Sequence, residues 1–411
     1  MRRNLLTLAC CMLAFVAVAC SKSSSSATSP TPSSGSSAPK TVTVALGGPF
    51  SGSEKGTGDQ IRAGAKLAAD QLNAAGGVTA GPDKGAQVAF KEFDDADDPA
   101  KAAANMRTIV DDSSLVAFVG SGLSDASIAA APIASQAGFA YLSAYASSEK
   151  ILTAAAAAKS VFVVPPTFPA YGYSVSDELL KAGYKKPAII HLTGTYGEGV
   201  SGFSAQRLQA GGATVVDNES FGFTDTDLRT QLAKIKAAGP DSLVMVGLAD
   251  SDALILKQAD QLGLKVPAFD PGGITNSDTF LKDAGPLAEG VVGNSPTDAQ
   301  RNTPAAKALR EAYTKQTGES VVPDPAVFAY EGVQAVAAAL ADGAAGAKDM
   351  ADHLHKISIA DTGVGPLSFG PDGSRIGGRL YVFKVQGGKP VFTAGYEQTG
   401  PTAVKGVSLD R

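Results

Sequence analysis

From Thr41 onward, short apolar β-branched runs alternate with longer segments of helical period, and that alternation restricts the chain to an α/β architecture. Residues 41–46 (TVTVAL) read as a buried strand. Next, Ile61, Ala65, Ala68 and Leu72 recur at helical spacing, and Gly76-Gly77 stops that helix. QVAFKEF (87–93) predicts a second strand. Asp98-Pro99 offers an N-cap and a first helical residue for a helix over 99–111. Strand LVAFVG (115–120), helix ASIAAAPIASQAG (126–138) and strand FAYLS (139–143) follow. Such a series, with right-handed crossovers, builds a parallel doubly wound sheet.

A second series begins near residue 160. Its strands are VFVV, KPAIIHL, ATVVDNESF, SLVMVG and VPAFD, with helices near 170–182, 198–210, 226–238 and 251–262. Helices near 303–317 and 325–343 come later, then strand-like GPLSFG and RLYVFKVQ flanking a Pro371-Asp372-Gly373 turn. Two series in one chain predict two α/β lobes, and the length supports this. The chain has 411 residues, 44% of them hydrophobic, whereas single cores stop growing near roughly 250–300 residues. Net charge is −5, with no basic stripe, which argues against a nucleic-acid partner.

The N-terminus has a different character. Arg2 and Arg3 precede an apolar stretch, Leu5 to Ala19, that is shorter than the roughly 20 residues a bilayer span needs. It ends in Ala17-Val18-Ala19-Cys20, which resembles a bacterial lipobox. Residues 1–19 are therefore expected to be a lipoprotein signal peptide and Cys20 the acylated residue. Cutting before Cys10 instead would leave almost no apolar region. The Ser- and Pro-rich stretch that follows is expected to be a disordered linker over 20–40, reaching roughly 25 Å as a flexible coil. All three cysteines lie in the first twenty residues, so the body carries no disulfide and no thiolate metal site.

Further segments are more specific. GPFSG (48–52) with the helix after it, DDADDPAKAAANMRTIV (94–110), VGSGLSDASIAAAPIASQAG (119–138) and IIHLTGTYGEGVSG (189–202) form a collinear set. LKQADQLGLKVPAFDPGG (256–273), FAYEGVQAVAAAL (328–340) and GPLSFGPDGSRIGGRLYVFKVQGGK (365–389) continue it. Together these resemble the branched-chain amino-acid-binding proteins of ABC importers, which have the type I periplasmic binding protein fold. The resemblance covers nearly all of 41–389. It implies lobe one from 41–165 and 296–374, lobe two from 166–295 and 375–400, and a tail over 401–411. The crossings fall near Val164-Pro165-Pro166, Pro296 and Ser374.

The resemblance also implies a ligand site. The family holds its ligand carboxylate with a serine after the third strand, here Ser124 with Leu123 beside it, and a second hydroxyl, here Ser147. A hydroxyl at a helix N-terminus makes a ready anion site on physical grounds too. The Tyr145 carbonyl helps receive an ammonium, and Tyr196 of lobe two closes over the ligand. Two departures stand out. The family's lobe-two glutamate, which pairs with the ammonium, falls at Gly272, and a lobe-two aromatic falls at Leu248. A buried ammonium without an anion is costly, so Asp270 or Asp250 replaces the glutamate or the ligand lacks an amine. The expected protein is thus a lipid-anchored, monomeric solute-binding protein, outside the cell membrane, serving an ABC permease and ATPase. Its ligand is an amino acid or a related aliphatic or aromatic acid.

Other chemistries are weaker. A sensing receptor would use the same fold. Gly122-Leu123-Ser124-Asp125-Ala126 approximates a hydrolase nucleophile elbow, but the only histidines are His191, at a strand end, and His353 and His355, expected on an exposed helix. The cluster Asp94, Asp95, Asp97 and Asp98 lacks a calcium-loop pattern. There is no P-loop and no dinucleotide fingerprint, so neither an enzyme activity nor a cofactor or metal is expected. The alanine run 154–158 reads as a surface helix or loop.

Overall fold

The computed structural model describes residues 40–154, 159–298, 300–319, 321–400 and 402–409. The expected signal peptide, Cys20, the linker up to residue 39 and most of the alanine run lie outside the described residues. Among those described, no helix is long and apolar enough to cross a membrane.

The first series folds as read. Strands β1 (Thr41–Gly48), β2 (Gln87–Asp94), β3 (Leu115–Gly120), β4 (Tyr141–Ser143) and β5 (Val161–Val163) form one parallel sheet in the order β2-β1-β3-β4-β5. Between them run α1 (Lys55–Ala74), α2 (Pro99–Asp111), α3 (Ser124–Ala137) and the short α4 (Lys150–Ala154). Asp98 does cap α2, its Oδ1 accepting from the Ala100 and Lys101 N–H groups. Strand alternation divides the core. Val42, Val44 and Leu46 face α1, while Ala45 between them packs with residues of α2 and α3.

The chain then builds α5 (Phe168–Lys181), β6 (Pro187–Leu192), α6 (Thr195–Ala210), β7 (Asp217–Phe221), α7 (Arg229–Ala238), β8 (Ser242–Val246), α8 (Ala249–Gln261), β9 (Ala268–Asp270), α9 (Asp278–Ala284) and β10 (Val292–Ser295). It returns to the first sheet's layers with α10 (Pro304–Thr317), α11 (Asp324–Asp342) and α12 (Ala347–Leu354). Helix α11 lies on α1 so closely that a Cβ on Gly64 would overlap the Ala326 carbonyl. Strands β11 (Ser368–Phe369) and β12 (Arg375–Ile376) make a small hairpin, and β13 (Arg379–Gln386), β14 (Lys389–Gly400) and β15 (Ala403–Val407) end the chain.

The second sheet has eight strands in the order β15-β14-β13-β10-β9-β8-β6-β7. Strands β6 to β10 are parallel, and β13 to β15 extend them antiparallel. Here the structure departs from the sequence reading. The Pro371-Asp372-Gly373 turn does not join GPLSFG to RLYVFKVQ; it closes only the β11–β12 hairpin, with Gly370 N–H donating to the Ser374 carbonyl at 2.8 Å. Strand β13 instead pairs with β10. The segment expected as a C-terminal tail carries β15. The turn at Gly387-Gly388, where both residues have positive φ (59° and 73°), folds β14 back onto β13, and β15 pairs antiparallel with β14 in its turn.

One side chain ties the connections together. The Arg375 guanidinium bridges Glu331 of α11, at 2.5 and 2.9 Å, and donates to the carbonyls of Val164 (3.0 Å) and Pro366 (2.8 Å). Arg375 and Glu331 are both buried. Nearby, the Gln398 side chain of β14 accepts the Thr167 N–H at 2.9 Å.

Candidate functional site

A cavity opens where the C-terminal ends of the two parallel sheets face one another, as expected for open α/β sheets. It encloses about 500 Å3 of non-atom space, part of it open to solvent. Gly122, Leu123, Ser124, Tyr145, Ala146, Ser147 and Asp324 line it from one side; Phe168, Tyr171, Tyr196, Val200, Leu248 and Gly272 line it from the other.

The loop after β3 aims α3 at this space. Gly120 has φ of 150°, and a Cβ there would strike the Gly47 carbonyl. Ser121 adopts a left-handed φ of 59°, a conformation that costs a non-glycine residue about 1–3 kcal/mol and tends to persist where a site needs it. Leu123 is extended, and Ser124 is the first helical residue of α3. The first N–H groups of the helix have no intrahelical acceptor, and the dipole places positive potential there. Ser124 is buried, and its hydroxyl makes no hydrogen bond among the described residues.

Ser147 lies on the loop after β4. Its hydroxyl donates to the Tyr145 carbonyl at 2.9 Å, and its own carbonyl accepts the Phe168 N–H of α5 at 3.2 Å. The Tyr196 hydroxyl reaches two backbone carbonyls, Gly247 and Gly272, each at 3.2 Å. Burial raises the phenol pKa values of Tyr145, Tyr171 and Tyr196 far above the ordinary tyrosine range. All three therefore remain neutral and offer hydroxyls rather than charge.

The acidic residues fall differently from expectation. Asp270 does not line the cavity. Its Oδ1 accepts the Gly272 N–H at 2.5 Å and its Oδ2 the Ile274 and Thr275 N–H groups at 3.1 and 3.0 Å, so both oxygens are spent organising their own loop. Asp250 is exposed in the first turn of α8, bonded to the Ser251 N–H. Neither stands where the family glutamate would be. The carboxylate that does line the cavity is Asp324, in the first turn of α11. Burial alone pushes its pKa up to about 8. Sequence reading passed over it because Pro323-Asp324-Pro325 reads as a helix start, and only the docking of α11 turns that start toward the cleft. Tyr171 and Phe168, the remaining aromatic walls, had no signal beyond an amphipathic helix.

None of the three histidines lines the cavity. His191 is held by the Leu192 carbonyl (2.9 Å), His353 by Asp342 (2.7 Å), and His355 by the carbonyls of Gly370 and Lys159. Among the described residues, no group of three or more His, Cys, Asp or Glu could hold a metal ion.

Two parallel-sheet α/β units, linked by three crossings around a cleft with a helix N-terminus in its wall, define a type I periplasmic binding protein fold. The chain belongs to the periplasmic binding protein family, whose model matches residues 41–389. It is 30% identical over 346 residues to the leucine-, isoleucine-, valine-, threonine- and alanine-binding protein of Pseudomonas aeruginosa, covering 82% of this chain and 88% of that protein. Among solved structures, it is similar to the branched-chain amino acid transporter substrate-binding protein of Streptococcus pneumoniae in complex with isoleucine. There the TM-score is 0.74 at 25% identity, covering 90% of this chain and 99% of the other. A solute-binding protein from Rhodopseudomonas palustris in complex with 3,4-dihydroxybenzoic acid has the same fold, with a TM-score of 0.77 at 23% identity, covering 88% and 98%. The family is one of solute-binding proteins rather than enzymes.

Proposed function

We propose that this chain is the lipid-anchored, extracytoplasmic substrate-binding protein of an ABC importer, and that it carries a small carboxylate-bearing solute. The observation that carries the reading is Ser124: a buried, uncommitted hydroxyl at the N-terminus of α3, facing the cleft beside Ser147. A carboxylate docked there receives the hydroxyl and the free N–H groups of the helix. The relatives support this class, because isoleucine and 3,4-dihydroxybenzoic acid share a carboxylate and little else.

The ligand docks first on Ser124 and Ser147. Tyr196, Leu248 and the loop at Gly272 then close from the second lobe and expel water. Binding energy shifts the population toward the closed form, which a permease and its ATPase recognise. Acylation at Cys20 keeps the monomeric body near that partner through the linker. Replacing Ser124 by alanine is expected to weaken carboxylate binding by about 1–3 kcal/mol, the worth of a charge-assisted hydrogen bond. Calorimetric titration of the variant with a ligand found by thermal-shift screening tests this, and unchanged affinity overturns the docking scheme.

A further inference from the structure

We propose that Asp324 selects the ligand by receiving a cationic amine, so that the solute is an amino-carboxylate rather than a simple carboxylic acid. The proposal rests on the reading of the cleft as a carboxylate site and names the class within it.

The placement carries the argument. In the family resemblance the amine partner is a lobe-two glutamate, and this chain has Gly272 there with no side chain to offer. Asp324 stands across the same gap: one of its carboxylate oxygens lies 3.7 Å from where a Cβ on Gly273 would sit. The anion is therefore supplied from α11, on the opposite side of the cleft from the missing glutamate. The two candidates read from sequence cannot serve, since Asp270 is saturated by its own loop and Asp250 faces solvent.

The carboxylate also lacks what a structural acid would have. Asp324 takes part in no hydrogen bond or ion pair among the described residues, and the cavity lining contains no lysine, arginine or histidine. An acid in the first turn of a helix does interact favourably with the dipole. A solvated position would give that benefit without the desolvation that Asp324 bears. A half-buried, desolvated carboxyl that lines the cleft with no partner is better explained by one that arrives with the ligand. The cleft then offers positive potential at α3 and, at α11, a carboxyl that becomes negative when an ammonium reaches it, matching the two ends of a zwitterion.

Protonation follows from the same geometry. The titratable groups facing Asp324 are the Tyr145 phenol, from the loop after β4, and the Tyr171 phenol, from α5; both are neutral. On α11 itself, Glu331 is committed to Arg375. With its pKa near 8 in the empty site, Asp324 is largely protonated at pH 7. Pairing with an ammonium ionises it and releases a proton.

The test is calorimetric titration of the mature protein with twins that differ only in the amine: leucine against 4-methylpentanoate, and phenylalanine against 3-phenylpropanoate. The wild-type protein is expected to prefer an amino acid over its deaminated twin by at least about tenfold. Its binding heat should vary with the ionisation enthalpy of the buffer, reporting proton release. D324N should lose that preference, with the amino acid weakened about 10- to 100-fold and the deaminated twin within about threefold of wild type. D324E should recover part of it, which separates the charge from any damage to folding. If the wild type favours the deaminated acids, or D324N binds amino acids as the wild type does, the assignment of Asp324 fails and the carboxylate site stands. If neither member of any pair binds, the carboxylate site itself fails, and Asp324 with it.

Discussion

The Tyr196 hydroxyl fills the space that a side chain on Gly272 would need. A Cβ built on Gly272 falls well inside contact distance of that oxygen and 2.8 Å from Asp270 Oδ1, while the hydroxyl bonds the Gly247 and Gly272 carbonyls. The absent glutamate and the tyrosine position are thus coupled. Restoring a side chain at 272 means displacing Tyr196, not merely adding a group to the cleft.

Gly272→Ala is therefore expected to weaken ligand binding through Tyr196. Overpacking of this kind costs about 1–3 kcal/mol. No left-handed backbone is at stake, so relieving the crowding should restore function. The double variant Gly272→Ala with Tyr196→Phe should bind better than the Gly272→Ala single variant. Titration of the wild type, both single variants and the double variant with one ligand measures the coupling.

Closure has a contact of its own outside the cavity. Thr195, the first residue of α6, donates its hydroxyl to the Asp125 carboxylate on α3. This bond joins the two sides of the cleft. Asp125 is exposed, so its worth is discounted to about 0.5–1 kcal/mol. Thr195→Val should leave thermal stability without ligand almost unchanged and speed ligand release roughly two- to fivefold. Stopped-flow dissociation kinetics would read that change, and an unaltered release rate would remove the bond from any role in closure.

How far the sequence carried this description depended on how local each feature is. Val42, Val44 and Leu46 declare a strand by their own pattern, and Asp98 caps α2 from two residues away. The place of Ser124 at a helix start was legible for the same reason: a strand, a short turn and a helix start are adjacent in the chain. Asp324 was not, because its place in the cleft depends on α11 lying against α1, through Gly64 and Ala326, which are far apart in sequence. Asp270 was misjudged by proximity. It stands two residues from the missing glutamate, but the turn through Gly272 and Gly273 directs its oxygens into the loop's own N–H groups. Strands β14 and β15 were missed because their faces are only partly buried, leaving a weak alternation beside the two-glycine turn.

The Arg375–Glu331 pair gives a stability prediction. Both side chains are buried, and the arginine also satisfies the Val164 and Pro366 carbonyls. Removing one partner leaves the other charge buried and unpaired, which costs about 3–5 kcal/mol. Arg375→Met should lower the urea midpoint accordingly. Arg375→Met combined with Glu331→Leu should recover much of the loss, since replacing a whole buried pair by apolar groups is often close to neutral. Equal loss in the single and double variants would place the arginine's main value in its backbone contacts near the crossing segments.

Asp97 makes a pH-dependent contribution of its own to stability. It has a left-handed φ of 59° and is only half-buried, and its pKa is pushed up to about 7 by burial first, then by Asp95, Glu54 and Asp125. Glu54 is raised as well, chiefly by burial, with Asp250 across the cleft adding repulsion. A folded-state pKa above the unfolded value means that the folded protein holds more protons between about pH 4 and 7. Stability from this group is therefore fully present near pH 4 and declines as pH rises through 7. The other acids that burial pushes upward, Asp95, Asp252, Asp270 and Asp324, act in the same sense. Asp97→Asn keeps the shape, and asparagine tolerates the left-handed backbone. Because the site is partly solvated, the gain at pH 8 is expected to be about 1 kcal/mol, smaller than the shift alone would imply. Melting curves at pH 5 and pH 8 check it: the variant should gain at pH 8, change little at pH 5, and show a shallower decline between them. A gain of equal size at both values would trace the effect to local packing and not to the charge on Asp97.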